Sequence, residues 1–212
     1  MSVPVILPEV QAAILAGGQS RRMGKPKLFL DFRGNTFIAH LLSQLQLQVN
    51  NVMIAGAPDP RQLADLGVPV FADTQVADTK NDNGPLAGVF TALSNMQCKS
   101  NMQRKWLLIA PCDNPLLPTN YAARLLETAR AQSVPLVYVR KQGREQPLYA
   151  LIQSSLLESL GAYLASGDRK VLPWYKSVGA LALDWDDVGL AFNNLNTPEE
   201  YAAFLASANS AG

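Results

Sequence analysis

The chain has 212 residues, 48% of them hydrophobic, enough for an α/β domain with a substantial core. Its 18 Lys and Arg against 17 Asp and Glu leave a formal net charge of +1, which excludes the basic stripe of a duplex nucleic-acid binder and makes any anion site local. Cys98 and Cys112 form neither a CxxC pair nor a disulfide framework. Residues 1–10 lack the pattern of a secretory leader, and no apolar run reaches the roughly 20 residues of a spanning helix. The expectation is a soluble, cytoplasmic protein with no nucleic-acid and no membrane partner.

Short apolar runs alternate with stretches of helical period, which predicts an α/β fold with a mostly parallel sheet flanked by helices. Residues 11–16 read as the first strand, stopped by Gly17-Gly18. Ile38, Leu41, Leu42 and Leu45 share one face of a helix over 36–46. Residues 52–55 and 68–71 read as the second and third strands. Pro85 falls in the first turn of a helix running to Met96, where its missing N–H costs least. Residues 106–110 form a buried strand ended by Pro111-Cys112-Asp113, and Pro118 opens a helix to Ala131. Two strands, 136–139 and 148–153, flank a turn at Gln142-Gly143-Arg144. A helix over 154–165 stops at Gly167. Thr197-Pro198-Glu199-Glu200 supplies an N-cap, a proline at N1 and an acidic first turn for a last helix to Ser207. Residues 1–9 and 208–212 are expected to fray.

The richest motif is Leu15-Ala16-Gly17-Gly18-Gln19-Ser20-Arg21-Arg22-Met23-Gly24-Lys25-Pro26-Lys27, directly after the first strand. Adjacent glycines let backbone N–H groups approach phosphate oxygens. Arg21, Arg22, Lys25 and Lys27 add cations suited to a triphosphate. The loop is neither a Walker A loop nor a dinucleotide fingerprint. Taken singly it also reads as a solvated basic turn, but its place at a strand's C-terminal end favours a phosphate site. Asp113 arrives at the end of a second apolar strand, and its hard oxygens suit Mg²⁺; alone it also reads as a turn cap. Gly84-Pro85-Leu86-Ala87-Gly88 admits either a flat ligand or a plain loop-to-helix junction. Asp73 is either a ligand carboxylate or a solvated turn residue, and Asn194 and Asn196 either metal-shell oxygens or turn residues. His40, Cys112, Trp174, Tyr175 and Trp185 read as structural.

In this order the motifs resemble the MobA-like nucleotidyltransferases, whose pattern is LAGGxSxRMGxDK, D…GPLAG, a strand ending in CD, and NxNTPE. They stand here as 15–27, Asp73 with Gly84–Gly88, Pro111-Cys112-Asp113, and 194–199. Gly167-Asp168-Arg169-Lys170-Val171 is similar to the family's GxRxV stretch. The later motifs resemble the guanylyltransferase branch. The resemblance implies a single Rossmann-like three-layer domain over 1–212, using Mg²⁺ and taking GTP as substrate. The implied reaction moves GMP to the phosphate of molybdenum-bearing molybdopterin with release of pyrophosphate, and transient cofactor-delivery proteins would be its partners. It implies nucleotide contacts from Leu15, Ala16, Gly17, Gly18, Arg22, Lys27, Asp73, Gly84, Pro85, Leu86 and Asp113. Arg22, Lys27 and Asp113 would carry catalysis, and Asp113, joined by Asn194 and Asn196, would bind the metal. Pro26-Lys27 replaces the family's DK pair, and Ala55 stands where guanylyltransferases often carry a nucleotide-contacting asparagine. Arg144, Gln146, Arg169 and Lys170 are candidates for an anionic acceptor. Three alternatives remain at this point: a molybdopterin cytidylyltransferase, a sugar-phosphate nucleotidyltransferase, and a non-catalytic GTP-binding protein.

Overall fold

Val10–Leu15 is buried at every position, and its even-numbered side chains pack into one core layer while Ala13 and Leu15 pack into the other. A strand covered on both faces is the mark of a sheet between two helical layers. The computed structural model describes residues 6–17, 26–74, 84–98 and 105–210. Their elements, after β1 (Val10–Leu15), are a 3-10 turn at Lys27–Phe29, β2 (Asp31–Phe32), β3 (Asn35–Thr36), α1 (Phe37–Gln46) and β4 (Asn51–Ala55). A second 3-10 turn at Pro60–Leu66 precedes β5 (Val70–Phe71), α2 (Gly84–Cys98), β6 (Trp106–Pro111) and α3 (Tyr121–Ala131). Then come β7 (Leu136–Lys141), β8 (Arg144–Gln153), a 3-10 turn at Ser154–Leu156, α4 (Leu157–Ala165), α5 (Val171–Ser177), β9 (Leu181–Asp184) and α6 (Pro198–Ser210).

The sheet has the order β5-β4-β1-β6-β8-β7-β9. Four of its pairings are parallel, and β8 runs against both neighbours. Helices α1 and α3 cover one face with Leu41, Leu45, Tyr121 and Leu125. Helices α2 and α4 cover the other with Leu93, Leu160 and Leu164. This is the three-layer, mostly parallel α/β architecture expected. The β2–β3 hairpin, α5 and β9 escaped sequence reading. Two-residue strands carry no period, Pro173 interrupts the helical pattern of α5, and β9 is half-buried rather than alternating.

Several boundaries differ from expectation, each for a local reason. The third strand shortens to Val70–Phe71 because Pro69 has no N–H to give the ladder; its carbonyl still accepts from Ile54 N at 2.9 Å. The helix expected from Pro118 begins at Tyr121, after a turn in which Tyr121 N donates to Pro118 O. Strand β8 starts at Arg144 and breaks register with β7 between Tyr138 and Val139. The last helix runs past Ser207 to Ser210, where fraying was expected from 208. Ala208 is buried, and Arg33 Nη2 donates to its carbonyl at 2.8 Å.

Helix α6 folds back on the β2–β3 hairpin in a third small core of Leu30, Phe32, Phe37, Leu195 and Phe204. The Phe204 ring lies 5.2 Å from that of Phe32, and Tyr201 Oη donates to Asp31 O at 2.6 Å. His40 is structural, as expected: its Nε2 bonds the Phe32 carbonyl. Truncating a buried phenylalanine forfeits transfer free energy and leaves a cavity. Phe204→Ala should therefore cost about 3–5 kcal/mol in urea unfolding; a cost below about 1 kcal/mol would show that α6 is not docked.

Candidate active site

In the parallel register Leu15 stands beside Ala55 on one flank and Pro111 on the other. The residues that follow therefore leave the sheet along one edge. From β1 the chain turns through α1 to β4, and from β5 it returns through α2 to β6 on the opposite side. The crevice between β1 and β6 is thus a topological switch point, where open α/β sheets bind ligands.

Gly17 leaves β1 against Gly56, which leaves β4 in a left-handed conformation with φ +77°. A β-carbon on Gly56 would lie 3.0 Å from Asp73 Oδ1 and 3.2 Å from Gly17 N. One on Gly17 would lie 3.9 Å from Asp73 Oδ2, and one on Gly88 3.6 Å from Asp73 Oδ1 and 3.4 Å from Leu15 Cδ2. Three glycines thus clear the space around one carboxylate. Thr74 N donates to the buried Thr91 Oγ1 at 2.8 Å, tying the Asp73 loop to α2. Leu15, Ala16 and Leu86 have buried side chains, which leaves only their backbones to meet any ligand at this edge. Ala55 is fully buried and its carbonyl accepts from Ala16 N at 2.8 Å; Gly56 is the residue of that strand end which meets Gly17 and Asp73. Gly84 has φ +61° and lies against Arg169, while Pro85 is exposed.

Asp113 follows β6 and is partly buried. Burial pushes its carboxyl above the ordinary range, while the Lys27 charge and a hydrogen bond from Tyr149 pull it down. Tyr149 Oη donates to Asp113 Oδ1 at 3.1 Å. Lys27 is delivered by its 3-10 turn, anchored by buried Leu28, and its Nζ donates to Asn196 Oδ1 at 2.7 Å. Burial lowers the Lys27 ammonium, and the charges of Asp113 and Glu200 act to raise it. Glu200 accepts from Asn196 N at 2.5 Å and Thr197 N at 3.2 Å, and its own N–H donates to Thr197 Oγ1, a capping box at the start of α6. Leu195 N donates to Asp113 O at 3.1 Å. The structure therefore brings Lys27, Asp113 and Asn196 together, and Gly17, Asp73 and Gly88 together, on one sheet edge. Gly18 and Arg22 lie outside the described residues, as do Arg21 and Lys25.

Among the described residues no group of three or more His, Cys, Asp or Glu could hold a metal. A site here would instead draw on the Asp113 carboxylate, a hard donor that fits Mg²⁺, with the exposed Asn194 and with Asn196 once its amide oxygen exchanges Lys27 Nζ for the ion. Cys112 is buried and burial drives its thiol pKa well up, so it is no nucleophile. Trp174, Tyr175 and Trp185 are core residues. Arg169 spends Nη1 on the Leu164 and Asp168 carbonyls at 2.6 and 2.7 Å. Sequence reading missed Gly56, Asn114 and Tyr149. Gly56 carried a usable signal, a glycine ending the second strand as Gly17 ends the first; Tyr149 carried none. No helix among the described residues is long and apolar enough to cross a membrane.

A parallel-sheet switch point that gathers Gly17, Gly56, Lys27 and the carboxylates of Asp73 and Asp113 fits an α/β nucleotidyltransferase. Residues 12–179 match the model of the MobA-like NTP transferase domain, and the chain belongs to that family. It is 36% identical over 193 residues to the molybdenum cofactor guanylyltransferase of Shewanella pealeana, covering 91% of this chain and 92% of the relative. Its fold is similar to that of molybdopterin-guanine dinucleotide biosynthesis protein A from Archaeoglobus fulgidus, with TM-score 0.74, 20% identity, and 94% and 99% of the two chains covered. A Mycobacterium tuberculosis protein solved in complex with manganese has TM-score 0.61 and 16% identity, with 94% and 99% covered.

Gly56→Ala should cost roughly 1–3 kcal/mol, because an alanine there is strained at positive φ and abuts Asp73. Urea unfolding measures it; a neutral result would mean that the Gly56–Asp73 contact is not as close as described.

Proposed function

We propose that the protein transfers GMP from GTP to the phosphate of molybdenum-bearing molybdopterin, forming the guanine dinucleotide cofactor and releasing pyrophosphate. The convergence of Lys27, Asp113 and Asn196 at the switch point carries this reading. The naming of the Shewanella pealeana relative as a molybdenum cofactor guanylyltransferase supports the choice of base and acceptor. Residues 1–212 act as one nucleotidyltransferase domain in the cytoplasm, with transient cofactor-delivery proteins as partners.

The backbone of Leu15, Ala16, Gly17 and Gly18 cradles the triphosphate, and Asp73 contacts the nucleotide. Gly84, Pro85 and Leu86 seat the guanine along their backbone. Arg144, Gln146, Arg169 and Lys170 serve the anionic acceptor. The acceptor phosphate attacks the α-phosphorus in line; a new P–O bond forms as the bond to the β-phosphate oxygen breaks. Such a reaction needs positioning and charge neutralisation more than a covalent nucleophile. The Lys27 ammonium, with Arg22, offsets charge on the departing pyrophosphate. Asp113, with Asn194 and Asn196, would hold Mg²⁺, which when bound neutralises phosphate charge and fixes its geometry. The manganese complex of the Mycobacterium tuberculosis neighbour supports a divalent ion in this fold.

Pyrophosphate release should require Mg²⁺, GTP and molybdopterin together. Asp113→Ala should reduce it by at least about 10²–10³-fold. A preference for CTP would replace guanine by cytosine, and GTP binding without turnover would make the protein a non-catalytic binder. Normal turnover in Asp113→Ala would remove Asp113 from the chemistry.

The acid limb of the rate profile offers a second test. Asp113 acts ionised, and the Tyr149 hydroxyl opposes the rise that burial imposes on its carboxyl. Tyr149→Phe removes that donor, so the Asp113 carboxyl should rise further. The acid limb of kcat/KM, which reports the free enzyme, should then move to higher pH, and an unmoved limb would separate Tyr149 from the ionisation of Asp113.

A further inference from the structure

Lys141 ends β7 with 6% of its surface exposed, a burial that a lysine tolerates when its ammonium is bonded. Its Nζ donates to Gly189 O at 2.6 Å, Ala191 O at 2.8 Å and Asn193 Oδ1 at 2.8 Å. These acceptors match the three donors of an ammonium, and all lie in one turn, 189–193. Asn114, fully buried, grips the same turn. Its Nδ2 donates to Leu190 O and Asn193 O, each at 2.8 Å, and its Oδ1 accepts from Leu116 N at 2.8 Å. Phe192, with φ +64°, seats its ring 4.8 Å from that of Tyr149.

The chain beyond this turn enters the transfer site at once. Leu195, two residues past Asn193, donates its N–H to Asp113 O, and Asn196 Oδ1 receives Lys27 Nζ. We infer that Lys141 is a positioning residue of the transfer site: its buried ammonium gathers the 189–193 turn into one shape and so sets 194–196 against Asp113 and Lys27. The carbonyls of Gly189 and Ala191 converge on the ammonium, and without a cation their dipoles oppose one another. Two residues give the segment little slack, and a misplacement of about 1 Å in a transfer site can cost roughly 10²-fold in rate. The inference rests on the reading of Asp113, Lys27 and Asn196 as the transfer site.

Lys141→Met keeps the apolar stem as far as Cε and removes the donors. With GTP, molybdopterin and Mg²⁺, its kcat/KM for pyrophosphate release should fall roughly 10–100-fold. Amide hydrogen exchange over 189–197 should quicken at least about tenfold while β1 and β6 stay protected. Combined with Asn196→Ser, its loss should be smaller than the product of the two single losses, because both act through one segment. Asn193→Ala deletes one acceptor at an exposed residue and should move both readouts in the same direction by less; it carries the test if Lys141→Met does not fold. Unchanged exchange over 189–197, or losses that multiply fully, would overturn the inference. Wild-type turnover in both Asp113→Ala and Asn196→Ser would instead defeat the reading of the site. Loss in those two with none in Lys141→Met or Asn193→Ala would defeat the clamp alone.

Discussion

The register that sets Leu15 level with Ala55 and Pro111 is the constraint on which the site depends. Parallel strands joined through helices all end at the same edge, so each strand end delivers its next residues to a common place. Here those residues are Gly17, Gly56 and Cys112-Asp113, and the loop after β5 adds Asp73 beside the first two. A slip of one residue in β1 would exchange its two buried faces and carry Gly17 away from Gly56. The full burial of β1 in two separate core layers is what forbids that slip.

The charges of the site come from distant parts of the chain. Lys27 follows the first strand, and its acceptor Asn196 lies 169 residues later, just before α6. The third small core joins them, because Phe204 and Leu195 pack on the hairpin that directly follows Lys27. Glu200 works at both levels: it caps α6 and adds negative charge near the Lys27 ammonium. Docking of the last helix is thus coupled to the electrostatics of the crevice.

The sequence disclosed what is local or periodic. The buried strands at 11–16 and 106–110 and the amphipathic helix over 36–46 declare themselves by hydrophobic pattern, and α6 by its capping box. Asp113, Lys27, Asp73 and Gly17 were legible because they end strands or sit in motifs. Tyr149 was not, since it acts through the register break between β7 and β8, and a bulge leaves no mark in a run of apolar residues. Lys141 and Asn114 were equally silent. Each looks like an ordinary polar residue until tertiary packing removes its water and points it at the 189–193 turn. The fraying expected at 208 failed for the same reason: Ala208 is held by Arg33 and the hairpin, which no pattern near the C-terminus announces.

Strand β8 gives the sheet a property that an all-parallel order would lack. Because it runs against β6, its Arg144 end lies at the edge where β6 delivers Asp113, and its bulged segment turns the Tyr149 hydroxyl onto Asp113 Oδ1. Pro147 fits there because an irregular stretch does not need its missing N–H, and its carbonyl is taken by Tyr175 Oη at 2.7 Å. The parallel half of the sheet thus supplies glycine turns, and the antiparallel strand supplies a buried hydroxyl that fixes one carboxylate oxygen. That bond and partial burial hold Asp113 in an orientation that a carboxylate on a solvated turn would not keep.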